Sequence, residues 1–363
     1  MKGKLKIAFL LSIITERGGI GRVTSIISNH LNKQEDFEVH IISYAKKVDN
    51  SYDWNNDLPY HYLLKSQIPM KKGIFNSSKK LRNILFDNKI DILVTCGHIV
   101  GPLGVLGTLF NKTKLIYWSH SSFKQTSKKQ FRIFNEHFTS VFASKIISLT
   151  KVDEINYTKH TFSKHVTQIY NPIDNKLNSV SKEFKSKSNN IISVGRLTDQ
   201  KNFKTLIDVA ATILKYNHDF TWDIYGSGEE EEELKQLIYK KGLFGVVNLK
   251  GQSNKLYELY NNYSLMVMTS KYEGFPMSLL EGLASKLPLI SFDIPTGPNE
   301  IIRNNVNGYL IEPFDINAMA NKIIYLLENP NVSEEFSKNN EIFRNEYSLK
   351  SIINKWQTTL KST

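Results

Sequence analysis

The chain has 363 residues, 40% hydrophobic and 23% charged, which excludes a disordered, collagenous or coiled-coil protein and predicts two domains at roughly 150 residues each. Its single cysteine, Cys96, excludes an intrachain disulfide framework and any cysteine-based zinc cluster. The net charge of +12 is uneven, with 29 Lys and Arg against 14 Asp and Glu in residues 1–189, and 18 against 21 in residues 190–363. A basic first half is either a solvated surface or the face that meets an anionic partner, such as a phosphorylated glycolipid, a membrane or a nucleic acid. No nucleic-acid-binding motif accompanies it.

The first predicted element is a strand, Leu5–Leu11. The basic start and the apolar run Ile7–Ile14 mimic a signal peptide, but no small-x-small cleavage site follows. Next comes the glycine loop Gly18-Gly19-Ile20-Gly21, then a helix that places Ile20, Val23, Ile27 and Leu31 on one face. Further strands are predicted at Glu38–Ser43, Ile92–Cys96, Lys114–Trp118, Lys145–Leu149 and Val166–Ile169. They are continuous apolar runs, as parallel strands covered on both faces require. The stretch Ile92–Asn111 has no charged residue and is long enough to span a bilayer, but Thr95, His98, Pro102 and four glycines break it into a strand, a loop and a short helix.

Residues 176–190, rich in Ser, Lys and Asn, read as a linker. A second series of strands follows: Ile191–Val194, Thr221–Tyr225, Val246–Leu249, Leu265–Thr269 and Leu287–Phe292. Helical stretches such as Phe203–Tyr216 and Glu230–Lys240 alternate with them. The expected fold is α/β, two Rossmann-like doubly wound domains around a central cleft. Residues 1–175 form the first and 191–344 the second. The last stretch, 345–363, crosses back to the first as a helix over Leu349–Leu360.

Polar clusters follow the strands of the second half, where doubly wound sheets bind ligands. Gly195-Arg196-Leu197 is followed by Lys201, two cations on one loop that suit a diphosphate. Tyr225-Gly226-Ser227-Gly228 lets a ligand approach the backbone. The run Glu229–Glu233 opens a helix and complements its dipole. The segment Tyr272-Glu273-Gly274-Phe275-Pro276-Met277-Ser278-Leu279-Leu280-Glu281 places Glu273 on a loop, Pro276 in the first turn of a helix and Glu281 about one and a half turns along it. The helix N-terminus offers free N–H groups to an anion. In the first half, Gly18–Gly21 lacks the dinucleotide fingerprint, and His120 lies just past a strand. There is no Asp-x-Asp pair, Walker loop or Gly-x-Ser-x-Gly elbow. A bound diphosphate must then be neutralised without a metal, by Arg196, Lys201 and backbone N–H groups.

Taken in order, Gly18-Gly19-Ile20-Gly21-Arg22, His120, Asn171-Pro172, Gly195-Arg196-Leu197 with Lys201, Gly226-Ser227-Gly228 and the pair Glu273 and Glu281 resemble the retaining glycosyltransferases of family 4, which have the GT-B fold. The stretch Glu273–Glu300, with Thr296-Gly297-Pro298-Asn299-Glu300, is similar to bacterial hexosyl- and N-acetylhexosaminyltransferases of lipopolysaccharide, capsule or teichoic acid synthesis. The resemblance implies a nucleotide-sugar donor, most often a UDP-sugar, a saccharide acceptor that is lipid-linked, and no cofactor or metal. His120, Arg196, Lys201 and Glu273 would be catalytic. Gly19, Gly195, Gly226, Gly228, Gly274, Phe275, Pro276, Met277 and Glu281 would bind the donor, Glu281 at the ribose. Gly21 departs from the family's usual side chain at that place, and Glu300 is expected to pack or cap a helix. The implied mechanism is front-face attack with the leaving phosphate as base.

Two basic and apolar stretches in the first half suit an anionic membrane surface. One has Lys71, Lys72, Lys79, Lys80, Arg82 and Lys89 among Ile74, Phe75, Leu81, Ile84, Leu85 and Phe86. The other has Lys124, Lys128, Lys129 and Arg132 among Phe123, Phe131, Ile133 and Phe134. They predict a cytoplasmic protein, peripheral on the inner face of the cell membrane, with no nucleic-acid partner. Ordinary amphipathic helices with core-facing apolar sides are the other reading. Two further functions share the fold: a GT-B epimerase or phosphorylase, and an inactive glycosyltransferase-like binding partner.

Overall fold

Most strands are short apolar runs, and the structure buries the central ones. It is a computed structural model that describes residues 3–14, 18–46, 54–66, 68–123, 130–163, 165–178, 184, 188–216 and 219–363, apart from the side chains of Gln130 and Phe131. The chain forms two compact units, one of residues 1–172 with 350–363, the other of residues 173–349.

The first unit is built on a seven-stranded sheet with order β3-β2-β1-β4-β5-β6-β7. Its strands are β1 (Leu5–Leu11), β2 (Phe37–Ala45), β3 (Tyr60–Leu64), β4 (Ile92–Cys96), β5 (Lys114–Trp118), β6 (Lys145–Ser148) and β7 (Val166–Gln168). All neighbours are parallel. In β4 every residue is buried. The crossovers are α1 (Gly19–Leu31), α2 (Met70–Asp87), α3 (Gly101–Thr108), α4 (Gln130–Phe142) and α5 (Lys151–His160). The uncharged run Ile92–Asn111 is therefore β4 followed by α3. No helix among the described residues is long and apolar enough to cross a membrane.

The second unit repeats the plan with six parallel strands in the order β10-β9-β8-β11-β12-β13. They are β8 (Asn190–Val194), β9 (Thr221–Tyr225), β10 (Val247–Gly251), β11 (Leu265–Met268), β12 (Leu289–Phe292) and β13 (Gly308–Ile311). Its helices are α6 (Phe203–Lys215), α7 (Glu231–Lys240), α8 (Leu256–Leu259), α9 (Met277–Ala284), α10 (Pro298–Ile301), α11 (Ile316–Glu328) and α12 (Pro330–Phe343). Buried Trp222 donates from Nε1 to Ser193 Oγ at 3.0 Å, and Ser193 donates to the Val267 carbonyl at 2.6 Å. That chain ties β9 to β8 and β8 to β11. α11 is started by Asp315, whose carboxylate accepts from the Ala318 N–H at 2.8 Å.

Several expectations need correction. Ile20 is 38% exposed while Val23, Ile27 and Leu31 are fully buried, because Ile20 sits in the first turn of α1, beyond the sheet. The edge strands β3 and β13 escaped the sequence reading. β3 is half-open and begins Tyr-His-Tyr, and β13 is four residues long and opens on a glycine. The unit boundary falls at Pro172, earlier than residue 175. Ile173 N–H donates to the Tyr347 carbonyl at 2.8 Å, and Tyr257 Oη donates to Asp174 at 3.0 Å, which fastens this stretch to the second unit. The described residues of the expected linker 176–190 belong to that unit and include the end of a 3₁₀ turn, Asn175–Asn178, and the first residue of β8. Residues 345–349 also belong there.

The last helix, α13 (Leu349–Lys361), belongs to the first unit from Lys350 onward. Its Trp356 is fully buried, 4.8 Å from Trp118 and 5.8 Å from Phe9 between ring centroids. Lys145 Nζ donates to the Thr359 carbonyl at 3.1 Å.

Candidate active site

In the second unit β8 is flanked by β9 on one side and β11 on the other. The strand order therefore reverses at β8, and the loops after β8 and β11 meet at the switch point where such sheets take ligands. The two loops are stitched together. Lys271 N–H donates to the Gln200 carbonyl at 2.9 Å, and Gln200 Nε2 donates to the Tyr272 carbonyl at 3.0 Å. Asn202 takes a left-handed backbone, φ +55°, and its side chain donates to the Thr269 carbonyl at 3.2 Å. The Thr269 hydroxyl lies 3.2 and 3.1 Å from the carbonyls of Lys201 and Asn202.

This stitching delivers Lys201 Nζ to 2.5 Å from Glu273 Oε1. Both side chains are largely buried, at 16% and 8% exposure. A pair so placed is costly to break on one side only, by about 3–5 kcal/mol, because the remaining charge is left uncompensated. Arg196, five residues earlier, is exposed and has no ion-pair partner among the described residues. The loop thus carries one committed cation and one open cation.

Glycines let the neighbouring loop come close. Gly226 has φ +150°, and a Cβ there would run into the Gly195 carbonyl oxygen. Gly228 lies against the Leu197 carbonyl, and Leu197 N–H donates to Ser227 at 2.9 Å. Gly195 itself packs on the methylene stem of Lys201. The expected donor-binding glycines 195, 226 and 228 therefore gather around Arg196 and Lys201.

Past Glu273 the chain turns into α9. Pro276 is the residue before the helix rather than in its first turn; its ψ of 109° is extended, and Met277 is the first helical residue. No side chain caps this N-terminus and no acid occupies its first turn, so its amide groups are open to an anion. Gly297, at φ +100°, lies against the Gly274 carbonyl and Pro276, where a Cβ would clash. The Thr296 hydroxyl donates to the Glu273 carbonyl at 2.6 Å. Phe275 is buried with its ring 5.9 Å from that of Tyr347, so its side chain is spent on packing. Glu281, the fifth residue of α9, is 3% exposed and accepts from the Tyr260 hydroxyl at 2.5 Å. Glu300 lies in the first turn of α10, and its carbonyl accepts from Tyr347. The sequence reading missed Tyr260 and Asn202 as supports, since neither belongs to a charged or glycine-rich cluster, and it quoted Thr296 without a role for its hydroxyl.

Gly19 and His120 lie in the first unit. Gly19 is the exposed first residue of α1, which has no side-chain cap and no acid in its first turn. His120 follows β5, its ring 4.2 Å from Trp118 and its Nε2 without a hydrogen-bond partner among the described residues. Burial pushes its pKa down to about 3, so the ring is neutral near pH 7. It offers dipole and shape there, not charge.

The two basic stretches part company. On α2 Leu81 and Leu85 are buried, while Phe75 and Phe86 are 77% and 74% exposed among exposed Lys71, Lys72, Lys79 and Lys80. Arg82 donates to the Leu106 carbonyl at 2.9 Å. Arg132 is no surface cation. It is buried, and its Nε lies 3.1 Å from Glu136 Oε1, whose pKa burial raises to about 7 against the lowering effect of Arg132. Lys124, Lys128 and Lys129 lie outside the described residues. Among the described residues no three His, Cys, Asp or Glu side chains come together in a group that could hold a metal ion.

Comparison with known proteins agrees with this geometry. Residues 174–343 match the family "Glycosyl transferases group 1" and residues 17–177 match "Glycosyltransferase Family 4". An uncharacterized glycosyltransferase of Haemophilus influenzae is 29% identical over 98% of this chain and 99% of its own. The poly(ribitol-phosphate) alpha-N-acetylglucosaminyltransferase of Staphylococcus aureus is 28% identical over 93% of this chain and 71% of its own. Among solved structures, S. aureus TarM in complex with fondaparinux, alpha-GlcNAc-glycerol and UDP superposes with a TM-score of 0.82 at 18% identity, covering 98% of this chain and 99% of that one. With one family matched in each half and a GT-B neighbour for the whole, the chain belongs to the glycosyltransferases of GT-B fold.

Proposed function

We propose that this chain is a retaining transferase that moves a hexose or N-acetylhexosamine from a UDP-sugar to a lipid-linked saccharide acceptor in bacterial surface-glycan synthesis. The observation that carries the reading is the pairing of Lys201 with Glu273 beside exposed Arg196, at the switch point and ahead of the uncapped α9. The S. aureus relative, an N-acetylglucosaminyltransferase named for poly(ribitol-phosphate), supports the class of sugar and a surface-glycan acceptor, and the UDP bound to TarM supports the nucleotide.

In this reading Arg196, Lys201 and the α9 amides receive the diphosphate, and no metal is needed. Glu273 meets the donor sugar and Glu281 the ribose. The bond from the anomeric carbon to the β-phosphate oxygen breaks, with its electron pair going to that oxygen. The acceptor hydroxyl attacks from the same face and passes its proton to the departing phosphate. The protein's part is electrostatic: fixed donors stabilise charge as it develops on the diphosphate. In the first unit, Gly19 offers a backbone N–H and neutral His120 a dipole to the acceptor. Exposed Phe75 and Phe86 among the lysines of α2 support peripheral binding to anionic lipid on the cytoplasmic leaflet, each cation near the surface adding about 1 kcal/mol.

Thermal denaturation with UDP-, GDP- and ADP-sugars, in EDTA, on wild type and Arg196→Ala, tests the donor half. A shift with UDP-sugars that survives EDTA and vanishes in the variant is expected. No shift with any sugar nucleotide, checked by calorimetry, overturns the reading. Donor consumption without acceptor points to an epimerase or phosphorylase instead. Flotation with anionic vesicles at rising salt tests the membrane half; absence of binding at low salt removes it.

A further inference from the structure

A surface helix ordinarily turns its apolar face to the core and its polar face to water. α4 does the reverse. Arg132, Asn135, Glu136, Thr139 and Ser140 are buried. Ile133, Phe134, Val141 and Phe142 are 48–62% exposed, with half-buried His137 and Phe138 between them. Those six positions recur at helical spacing and make one continuous outer stripe. It carries no Asp, Glu, Lys or Arg. Phe134 stacks on Phe138 at 5.9 Å, and Phe138 lies 5.2 Å from Phe142 between ring centroids. The helix is fixed in this rotation. Arg132 pairs with Glu136 and donates to the Ser122 carbonyl, and Gly101 of α3 leaves the room that the Thr139 side chain fills. Rolling α4 to hide its phenylalanines would break those contacts.

α3 packs against both α2 and α4, so the three helices form one layer on the sheet. On α2 that layer exposes Phe75 and Phe86 with Lys71, Lys72, Lys79 and Lys80, and Asp87 is the only acid on α2 and α3. A second copy of the chain would match the stripe but bring a second set of the same lysines. An anionic bilayer answers both parts of the layer, acyl chains taking the stripe and headgroups the lysines. We infer that α4 is the element that enters the bilayer, its stripe lying at the boundary of headgroups and acyl chains, while α2 supplies the steering charge. This rests on the reading that the first unit binds anionic lipid, and it moves the anchor from α2 to α4. The two helices then do separable work, because salt screens the charge of α2 but not the apolar burial of α4.

The experiment is flotation with vesicles of phosphatidylglycerol and phosphatidylcholine at low and high salt. It compares wild type, Phe134→Gln with Phe142→Gln, and Lys79→Gln with Lys80→Gln. The phenylalanine pair is expected to lower the partition coefficient about thirtyfold or more at both salt levels. The lysine pair is expected to lower it about thirtyfold at low salt and less than about threefold at high salt. A nitrobenzoxadiazole label on Phe134→Cys reports insertion independently, since Cys96 is buried. Its emission is expected to brighten and shift to the blue on the vesicles. If wild type does not float at low salt, the lipid reading fails and this proposal with it. If wild type floats and the phenylalanine pair changes its partition less than about twofold, α4 is not the anchor, and the lipid reading survives through α2. An unshifted label on vesicle-bound protein overturns the role of α4 likewise. A dimer in sedimentation that the phenylalanine pair dissolves, with flotation unchanged, means that a second copy covers the stripe, and also overturns it.

Discussion

The two units share one plan, a parallel sheet whose order reverses beside its first strand, yet they treat their polar residues differently. In the second, the charged residues at the switch point are locked to one another or to buried donors: Lys201 to Glu273, Glu281 to Tyr260, with Arg196 left open. In the first, the corresponding edge carries an exposed glycine and a neutral histidine beside Trp118. On the proposed function the contrast separates two tasks. A surface that must neutralise a diphosphate needs charge held in advance at fixed positions. A surface that receives an uncharged hydroxyl needs shape and a few dipoles. Part of the basic charge of the first unit lies elsewhere, in the exposed lysines of α2.

The largest effect that would sharpen this comparison is in the first unit. Trp356→Ala empties space between Phe9 and Trp118 and should cost about 3–5 kcal/mol in chemical denaturation. A much smaller loss would mean that α13 adds little to that unit. Next comes Lys201→Ala, which removes the proposed phosphate ligand and strands Glu273. Turnover should fall on the order of a hundredfold or more. Lys201→Met with Glu273→Gln should recover stability without recovering turnover; recovery of both would make the pair purely structural. Asp315→Ala, at the start of α11, should cost about 1 kcal/mol of stability and leave donor affinity alone.

A further effect concerns pH. Below pH 6.5 the unfolded chain protonates His120 while the folded chain does not, so this group makes stability fall as the pH drops from 6.5 toward 3. His120→Gln should therefore give a shallower decline of the urea midpoint across that window. Parallel curves for wild type and variant would show a ring that is not held neutral.

Much of this was legible in the sequence because parallel strands advertise themselves as apolar runs. β1, β4 and β5 were bounded correctly from sequence alone. The edge strands β7 and β10 still carry that signature, but β3, which begins Tyr-His-Tyr, and β13, four residues long and opening on a glycine, do not, and were missed. At the site, the clusters after β8 and β11 could be read, but the 2.5 Å pairing of Lys201 with Glu273 spans 72 positions and no local pattern encodes it. Arg132 is the reverse case. It read as a surface cation because its partner Glu136, one helical turn away, lies on a face whose burial depends on tertiary packing.

The order of units along the chain has a consequence for synthesis. The first unit is interrupted by the whole of the second and is completed only by α13, with Trp356. On a ribosome adding roughly 5–20 residues per second, the intervening 173–349 take on the order of 10–35 s to emerge. During that interval Phe9 and Trp118 wait without the tryptophan that covers them. The nascent first unit is therefore a client for whatever shields apolar surface at the tunnel exit, while the second can close its own core as soon as Leu349 is out.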